Sequence, residues 1–229
     1  MSYSQFCPIA KALDLLGERW TLLIVRELLV GGTRFNELQR GLPQISPSIL
    51  TKRLNDLAEA GVILRKKIPA QKGYEYQLTE MGRELRPVVE ALGIWGMRWA
   101  RGVMNDDELD VDLLMLYLER SIQRDKLPGG ETTIRFQFTN LAEYRDWWVV
   151  VKPEHTDVCL KDPGREVDVY FTVDLRTMTE LWMGDCSYKS AVADGRLKLV
   201  GNSVLTRNVT EWLALASFAQ VRSATELSH

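Results

Sequence analysis

The stretch Ser46-Pro47-Ser48-Ile49-Leu50-Thr51-Lys52-Arg53-Leu54-Asn55-Asp56-Leu57-Ala58-Glu59-Ala60-Gly61 decides the fold of the first half of the chain. A serine is a good N-cap, a proline suits the first helical position, and a glycine suits the stop, so the segment predicts one helix. Leu50, Leu54, Leu57 and Ala58 recur at helical spacing and define a buried stripe. At 100° per residue, Ser48, Lys52, Asn55 and Glu59 face the other way, with Ile49, Thr51, Arg53 and Asp56 on the flanks. Near its N-terminus the outward surface is small, hydroxyl-bearing and basic, and the carboxylates gather at the far end.

The elements around this helix are short. Ile9 to Leu16 reads as an apolar helix ended by Gly17. Glu18 to Val30 follows, with Trp20, Leu22, Leu23, Ile24, Leu28 and Leu29 spread round most of its circumference, the pattern of a helix inside a bundle. Gly31-Gly32 stops it, and Phe35 to Arg40 fits one or two further turns. After Gly61, Val62 to Ile68 and Gly73 to Leu78 read as two strands. The first ends in Arg65-Lys66-Lys67, and the connection Pro69-Ala70-Gln71-Lys72-Gly73 is polar and turn-forming. Hydroxyls and cations leading a helix can bond base edges and phosphates in a major groove, and a basic ribbon behind it can lie along the backbone.

This order resembles the HxlR family of winged helix-turn-helix regulators over residues 6 to about 100. The residues that carry the resemblance are Cys7-Pro8-Ile9, Gly17-Glu18-Arg19-Trp20, Arg34-Phe35-Asn36-Glu37-Leu38, Ile45 through Leu54, Gly61-Val62-Ile63 and Tyr74 through Thr79. The resemblance implies dimeric binding to double-stranded operator DNA, with the helix from Ser46 as reader, and repression or activation in response to a cellular signal. The DNA-contacting residues expected are Ser46, Ser48, Thr51, Lys52 and Arg53, with Arg65 and Lys72 near phosphates. In the wing, Ala70-Gln71-Lys72-Gly73 stands where the family usually has a proline-rich stretch. Some members with a cysteine at the position of Cys7 respond to oxidants or electrophiles. Here the alternatives are a redox-sensing thiol and an inert, packed one.

Thr79 to Ala100 reads as a long helix whose Leu85, Val88, Leu92, Trp95 and Trp99 fall at alternating three- and four-residue steps. Such a seam serves either a core or a twin; because the wing precedes it, the expectation is a homodimer interface.

The acidic stretch Asn105 to Asp110 marks the expected boundary between a DNA-binding and dimerisation domain, 1–104, and a second domain, 105–229. Residues 1–104 hold 15 Lys+Arg and 10 Asp+Glu, a balance of +5. Residues 105–229 hold the remaining 14 and 21, a balance of −7. Only the first half favours phosphate. In the second half Val111 to Ile122 reads as a helix and Thr132 to Phe138 as a half-buried edge or sheet strand. Trp147 to Val151, Thr156 to Leu160 and Val167 to Val173 continue the sheet. Asp174 caps a helix through Met183, Ser187 caps another ending at Gly195, Leu197 to Val200 is a last strand, and Val204 to Val221 a closing helix. The expected fold class is therefore α+β, a winged helix-turn-helix domain followed by an α+β domain.

This second order resembles the sterol carrier protein type 2-like fold. The resemblance rests on Asp168 through Asp174, Leu181-Trp182-Met183-Gly184, Ala193 through Gly201, and Trp212, Leu213 and Phe218 in the closing segment. It implies an apolar or lipid-like small-molecule ligand, with Trp147, Phe171, Leu181, Trp182 and Trp212 either lining its cavity or serving as plain core. The alternative function is a lipid-type carrier or enzyme-like module in which the first domain only dimerises.

At 45% apolar and 26% charged residues the composition is that of a globular chain. The opening Met1 to Pro8 lacks the basic and apolar runs of a signal peptide, and no apolar run near it is long enough to span a bilayer; the expected location is cytoplasmic, with no membrane partner. Cys7, Cys159 and Cys186 form no disulfide framework. His155 and Cys159 lack a second ligand pair for zinc, and no phosphate loop or nucleophile elbow is present, so no metal, cofactor or enzymatic activity is expected.

Overall fold

Pro8 opens the first helix, α1 (Pro8–Leu16), at a position where its missing N–H costs nothing, and Gly17 closes it. Of its residues only Ala10 is buried; Ile9, Leu13 and Leu15 are exposed. The computed structural model describes residues 3–69, 72–102, 104–222 and 224. The chain divides into two compact units, Met1–Gly96 and Met97–His229, a boundary ahead of the acidic Asn105 stretch.

Helix α2 (Thr21–Leu29) begins at Thr21, not at Glu18 as the pattern suggested. Trp20 takes the left-handed conformation, φ +80°, which no α-helix accommodates. The helix is also one-sided: Thr21, Ile24, Val25, Glu27 and Leu28 are buried while Leu23 is exposed. At the start of α3 (Phe35–Arg40), the Glu37 carboxylate accepts from the backbone N–H groups of Thr33 at 2.8 Å and Arg34 at 3.0 Å. Burial pushes its pKa up, but those bonds outweigh it and leave the group below its ordinary value.

Helix α4 (Pro47–Glu59) forms as the sequence predicts. The Ser46 hydroxyl accepts from the Ile49 N–H, and Leu50, Leu54 and Leu57 are buried against Ile24, Leu38 and Ile63 in the first core. Gly61, at φ +77°, turns the chain into β1 (Ile63–Lys67), which pairs antiparallel with β2 (Tyr74–Leu78) from Ile63 opposite Leu78 to Lys67 opposite Tyr74. Ala70 and Gln71 of the expected connection lie outside the described residues. A bridge between Arg34 and Glu75, and a bond from the Tyr76 N–H to the Thr33 carbonyl at 2.7 Å, dock this ribbon onto the start of α3.

The expected long helix from Thr79 is broken. α5 (Glu80–Arg83) ends after one turn, α6 (Arg86–Trp95) follows, and Gly96–Ala100 is a π-helical turn. Pro87 has no N–H to donate across the Glu84–Leu85 step, so the ladder restarts with proline in its first turn.

In the second unit, α7 (Val111–Ser121) is capped by Asp110, whose carboxylate accepts from the Leu113 N–H. β3 (Thr132–Phe138), β4 (Asp146–Val151), β5 (Thr156–Cys159), β6 (Val169–Val173) and β7 (Leu197–Gly201) form, among the described residues, a five-stranded sheet of order β5-β4-β3-β6-β7. Only β3 and β6 run parallel. β3 is therefore the central strand, more deeply buried than its alternation suggested, with Thr132 and Thr133 enclosed as well. α8 (Leu175–Met183) and α9 (Tyr188–Ala193) start at Asp174 and Ser187, as expected from their caps.

The closing helix is broken as well. α10 (Ser203–Arg207) and α11 (Val209–Trp212) part at Asn208, and Leu213 is extended. Its backbone is taken by the end of α7: Leu213 bridges Ile122, the Ala214 N–H donates to the Ser121 carbonyl, and the Gln123 N–H to that of Trp212. No helix among the described residues is long and apolar enough to cross a membrane.

Candidate nucleic-acid interface

With its leucines committed inward, α4 presents Ser46, Ser48, Ile49, Thr51, Lys52, Asn55 and Asp56 to solvent. Two of the hydroxyls also serve the helix: the Ser46 and Ser48 oxygens lie 3.1 Å apart, and the Thr51 hydroxyl donates to the Pro47 carbonyl at 2.8 Å. Lys52 is exposed one turn in. The wing's Arg65, Lys66, Lys67 and Lys72 are exposed too. Arg65 ties the wing to the helix, its guanidinium donating to the Asn55 side chain at 3.4 Å and lying 3.6 Å above the Tyr74 ring. Lys66 donates to Gln77 across the ribbon at 2.7 Å.

Arg53 stands apart from the other expected contacts. Its side chain is only 14% exposed, and its guanidinium donates to Glu18 at 2.5 Å and Asp56 at 3.0 Å. Two carboxylates thus hold it against the body of the unit, so its geometry suits positioning α4 better than reaching for a base. The partner at Glu18, thirty-five residues away, carries no local signal.

Sequence reasoning also missed Glu27. This buried carboxylate accepts from Arg26 Nε at 3.1 Å and Nη2 at 2.8 Å, and the same Nη2 donates to the Gly41 carbonyl. Gly41 opens the turn between α3 and α4, and a Cβ there would collide with the Glu27 carboxyl. A glutamate set among leucines, with a glycine at the helix–helix turn, is the pattern that could have flagged it.

Of the expected dimer seam, Leu85 packs partly buried on the first core. Val88, Leu92 and Trp95 are 44%, 48% and 59% exposed on α6, and Trp99 is 61% exposed in the π-helical turn beyond the unit boundary. Cys7 is half-buried at the start of α1.

In the second unit, Trp147, Phe171, Leu181 and Trp212 are buried in one core and Trp182 packs half-buried on it. Phe171 stacks on Phe136 at 4.6 Å and meets Trp212 edge-on at 6.2 Å; Trp182 stacks on Tyr117 at 4.8 Å. All three indoles donate: Trp147 to the Tyr144 carbonyl, Trp182 to the Ser121 hydroxyl and Trp212 to the Leu205 carbonyl. Nearby, burial pushes the Cys186 thiol up despite an Arg196 guanidinium 3.8 Å away. Among the described residues no three His, Cys, Asp or Glu side chains converge as a metal site. His155 instead meets Asp157, whose pKa is lowered chiefly by the Lys152 ammonium.

The profile of the HxlR-like helix-turn-helix family matches residues 15–104, and that of the SCP-2 sterol transfer family matches residues 114–214. The chain is 40% identical over 101 residues to the uncharacterized HTH-type transcriptional regulator YvaP of Bacillus subtilis, spanning 43% of this chain and 94% of that one. The chain belongs to the HxlR family. A second relative, the uncharacterized HTH-type transcriptional regulator YdeP of the same organism, is 38% identical over 96 residues, 41% of this chain and 73% of its own. Among solved structures, the reduced form of the transcriptional regulator YodB from B. subtilis is 34% identical, covering 40% of this chain and 92% of that one, at a TM-score of 0.36. The fold is thus a winged helix-turn-helix unit followed by an α+β unit of the SCP-2 kind.

Proposed function

We propose that this HxlR-type chain is a dimeric, DNA-binding transcriptional regulator whose second unit receives an apolar small molecule. The observation that carries the reading is the two-sidedness of α4, leucines enclosed and hydroxyls and a lysine exposed, beside a wing whose cations are tethered to the same helix through Arg65 and Asn55. On this reading Ser46, Ser48, Thr51 and Lys52 meet the major groove, with Ile49 available to a thymine methyl. Arg65 and Lys72 neutralise phosphates, and Arg53 holds the helix in place. Val88, Leu92 and Trp95 on α6 pair two copies so that two reading helices address one pseudo-palindromic operator. Replacing Lys52 by alanine is expected to weaken binding to the chain's own promoter DNA and to lower the salt slope by about one unit, measured by fluorescence anisotropy across a salt series. An unchanged slope and affinity would remove α4 as the reader.

The effector half of the proposal rests on the SCP-2 similarity and on an aromatic core with one half-buried member, Trp182, through which an apolar guest would enter. A second reading, a unit that works with its interior filled, draws on the mutual stacking of Phe136, Phe171 and Trp212. Tryptophan fluorescence during a fatty-acid and sterol titration, with native mass spectrometry of the purified chain, separates the two. A saturable change or a co-purifying apolar molecule supports the first; a flat titration and a bare mass support the second.

A further inference from the structure

The first unit contains a hollow of about 320 Å³ on the side of the wing that faces α2 and the start of α6. Leu28, Leu29 and Leu78 supply apolar lining, Thr33 a hydroxyl already donating to Glu37, and Arg83 and Arg86 two cations. Each guanidinium is anchored by a main-chain carbonyl: Arg83 donates to Leu78 at 2.8 Å and Arg86 to Leu29 at 3.3 Å. Their nearest carboxylates, Glu80 and Glu90, stand at 3.9 and 4.0 Å, the outer limit of an ion pair. A guanidinium carries five N–H donors, so these bonds leave each arginine able to take an anion.

We propose that this hollow binds a small aromatic carboxylate, its ring on the leucines and its carboxylate on Arg83 and Arg86. An inorganic anion would leave the apolar lining uncovered, and a neutral ring would leave the arginine donors to water. An occupant here touches the end of α2, strand β2 of the wing and the α5–α6 step together. It therefore favours whichever arrangement of wing and α6 closes on it, which makes the hollow an effector site within the DNA-binding unit. The proposal goes beyond the apolar-effector reading of the second unit and does not depend on it.

The test is titration of the full chain with benzoate, followed by calorimetry and by NMR of leucine methyl and arginine side-chain signals. The expected result is saturable binding with shifts centred on Leu28, Leu29, Leu78, Arg83 and Arg86. Binding should fall about tenfold or more in the R83Q/R86Q variant, as the loss of charge-assisted bonds requires. Benzamide, the same shape without the charge, should bind at least as weakly to the native chain as benzoate does to the variant. Absence of saturable benzoate binding, equal affinity for benzamide, or shifts confined to residues beyond Gly96 would each overturn the proposal. The wild-type shift map and the benzamide comparison decide the matter even if the double variant folds poorly.

Discussion

Helices α4 and α6 carry the same kind of apolar spacing and use it in opposite ways. In α4, Leu50, Leu54 and Leu57 vanish into the first core; in α6, Val88, Leu92 and Trp95 stand roughly half in water. The difference lies in what surrounds them. α4 has α2, α3 and β1 to close over its stripe, whereas α6 and its N-cap commit only Val89 and Leu85, partly buried, to the core and turn the next face outward. A periodic stripe names a face. It does not name the partner, and within one unit the partner is decided by which neighbours the topology supplies.

The sharpest way to break this comparison is to truncate one residue from each stripe. Leu54→Ala removes a fully enclosed side chain and is expected to cost about 2–5 kcal/mol of stability, read by urea unfolding. Leu92→Ala, on the exposed stripe, should cost dilute monomer no more than about 0.5 kcal/mol. If the two losses prove equal, the faces are not different in kind. The next effect in size belongs to association. The double variant L92E/W95E should weaken self-association about a hundredfold or more in sedimentation equilibrium while leaving the monomer's circular dichroism intact. An unchanged association constant would remove α6 as the proposed pairing face, with exposed Ile9 and Leu13 of α1 next to be tested.

How much of this was legible depended on how local each cause was. The cap at Ser46, the proline after it and the leucine spacing lie within one segment, so α4 could be drawn to the residue. The caps at Asp174 and Ser187 worked the same way in the second unit. Trp20 defeated the reading of α2 because nothing in its neighbours demands a left-handed tryptophan. The closing helix failed for a distant reason: the backbone around Leu213 bonds with Ser121, Ile122 and Gln123, about ninety positions earlier in the chain. Pro87 was different again. Its signal is local, a proline within the heptad-like run, and it breaks the helix that the spacing alone implies.

The outward face of α4 was legible as a surface but not as a set of contacts. Hydroxyls and cations on the outward face of α4 follow from angular position alone. That Arg53 is clamped between Glu18 and Asp56, while Arg65 reaches across to Asn55, follows from where the wing and the Gly17–Trp20 turn come to rest. The five apolar residues named in the second unit did come together in or against one core, because each lies on the inner face of β4, β6, α8 or α11. Their spacing could not tell whether they close on each other or on a guest.

The smallest effect sharpens the account of why α4 stays seated, since the helix beneath it depends on a carboxylate. Glu37 binds the N–H groups of Thr33 and Arg34 at the start of α3, and its pKa is held below the ordinary 4.5. A depressed carboxylate contributes stability that is fully present above its unfolded value and is lost as the pH falls through the folded one. Glu37→Gln keeps the shape but discards the charge, so the native chain should be modestly more stable than the variant at neutral pH, by less than about 1 kcal/mol. That margin should shrink as the pH drops below 4.5, with no change in self-association at either end. Thermal melts of both proteins along one pH series measure it directly. A margin that stayed constant into acid would show that the Glu37 side chain supports α3 by its bulk and not by its ionised bonds.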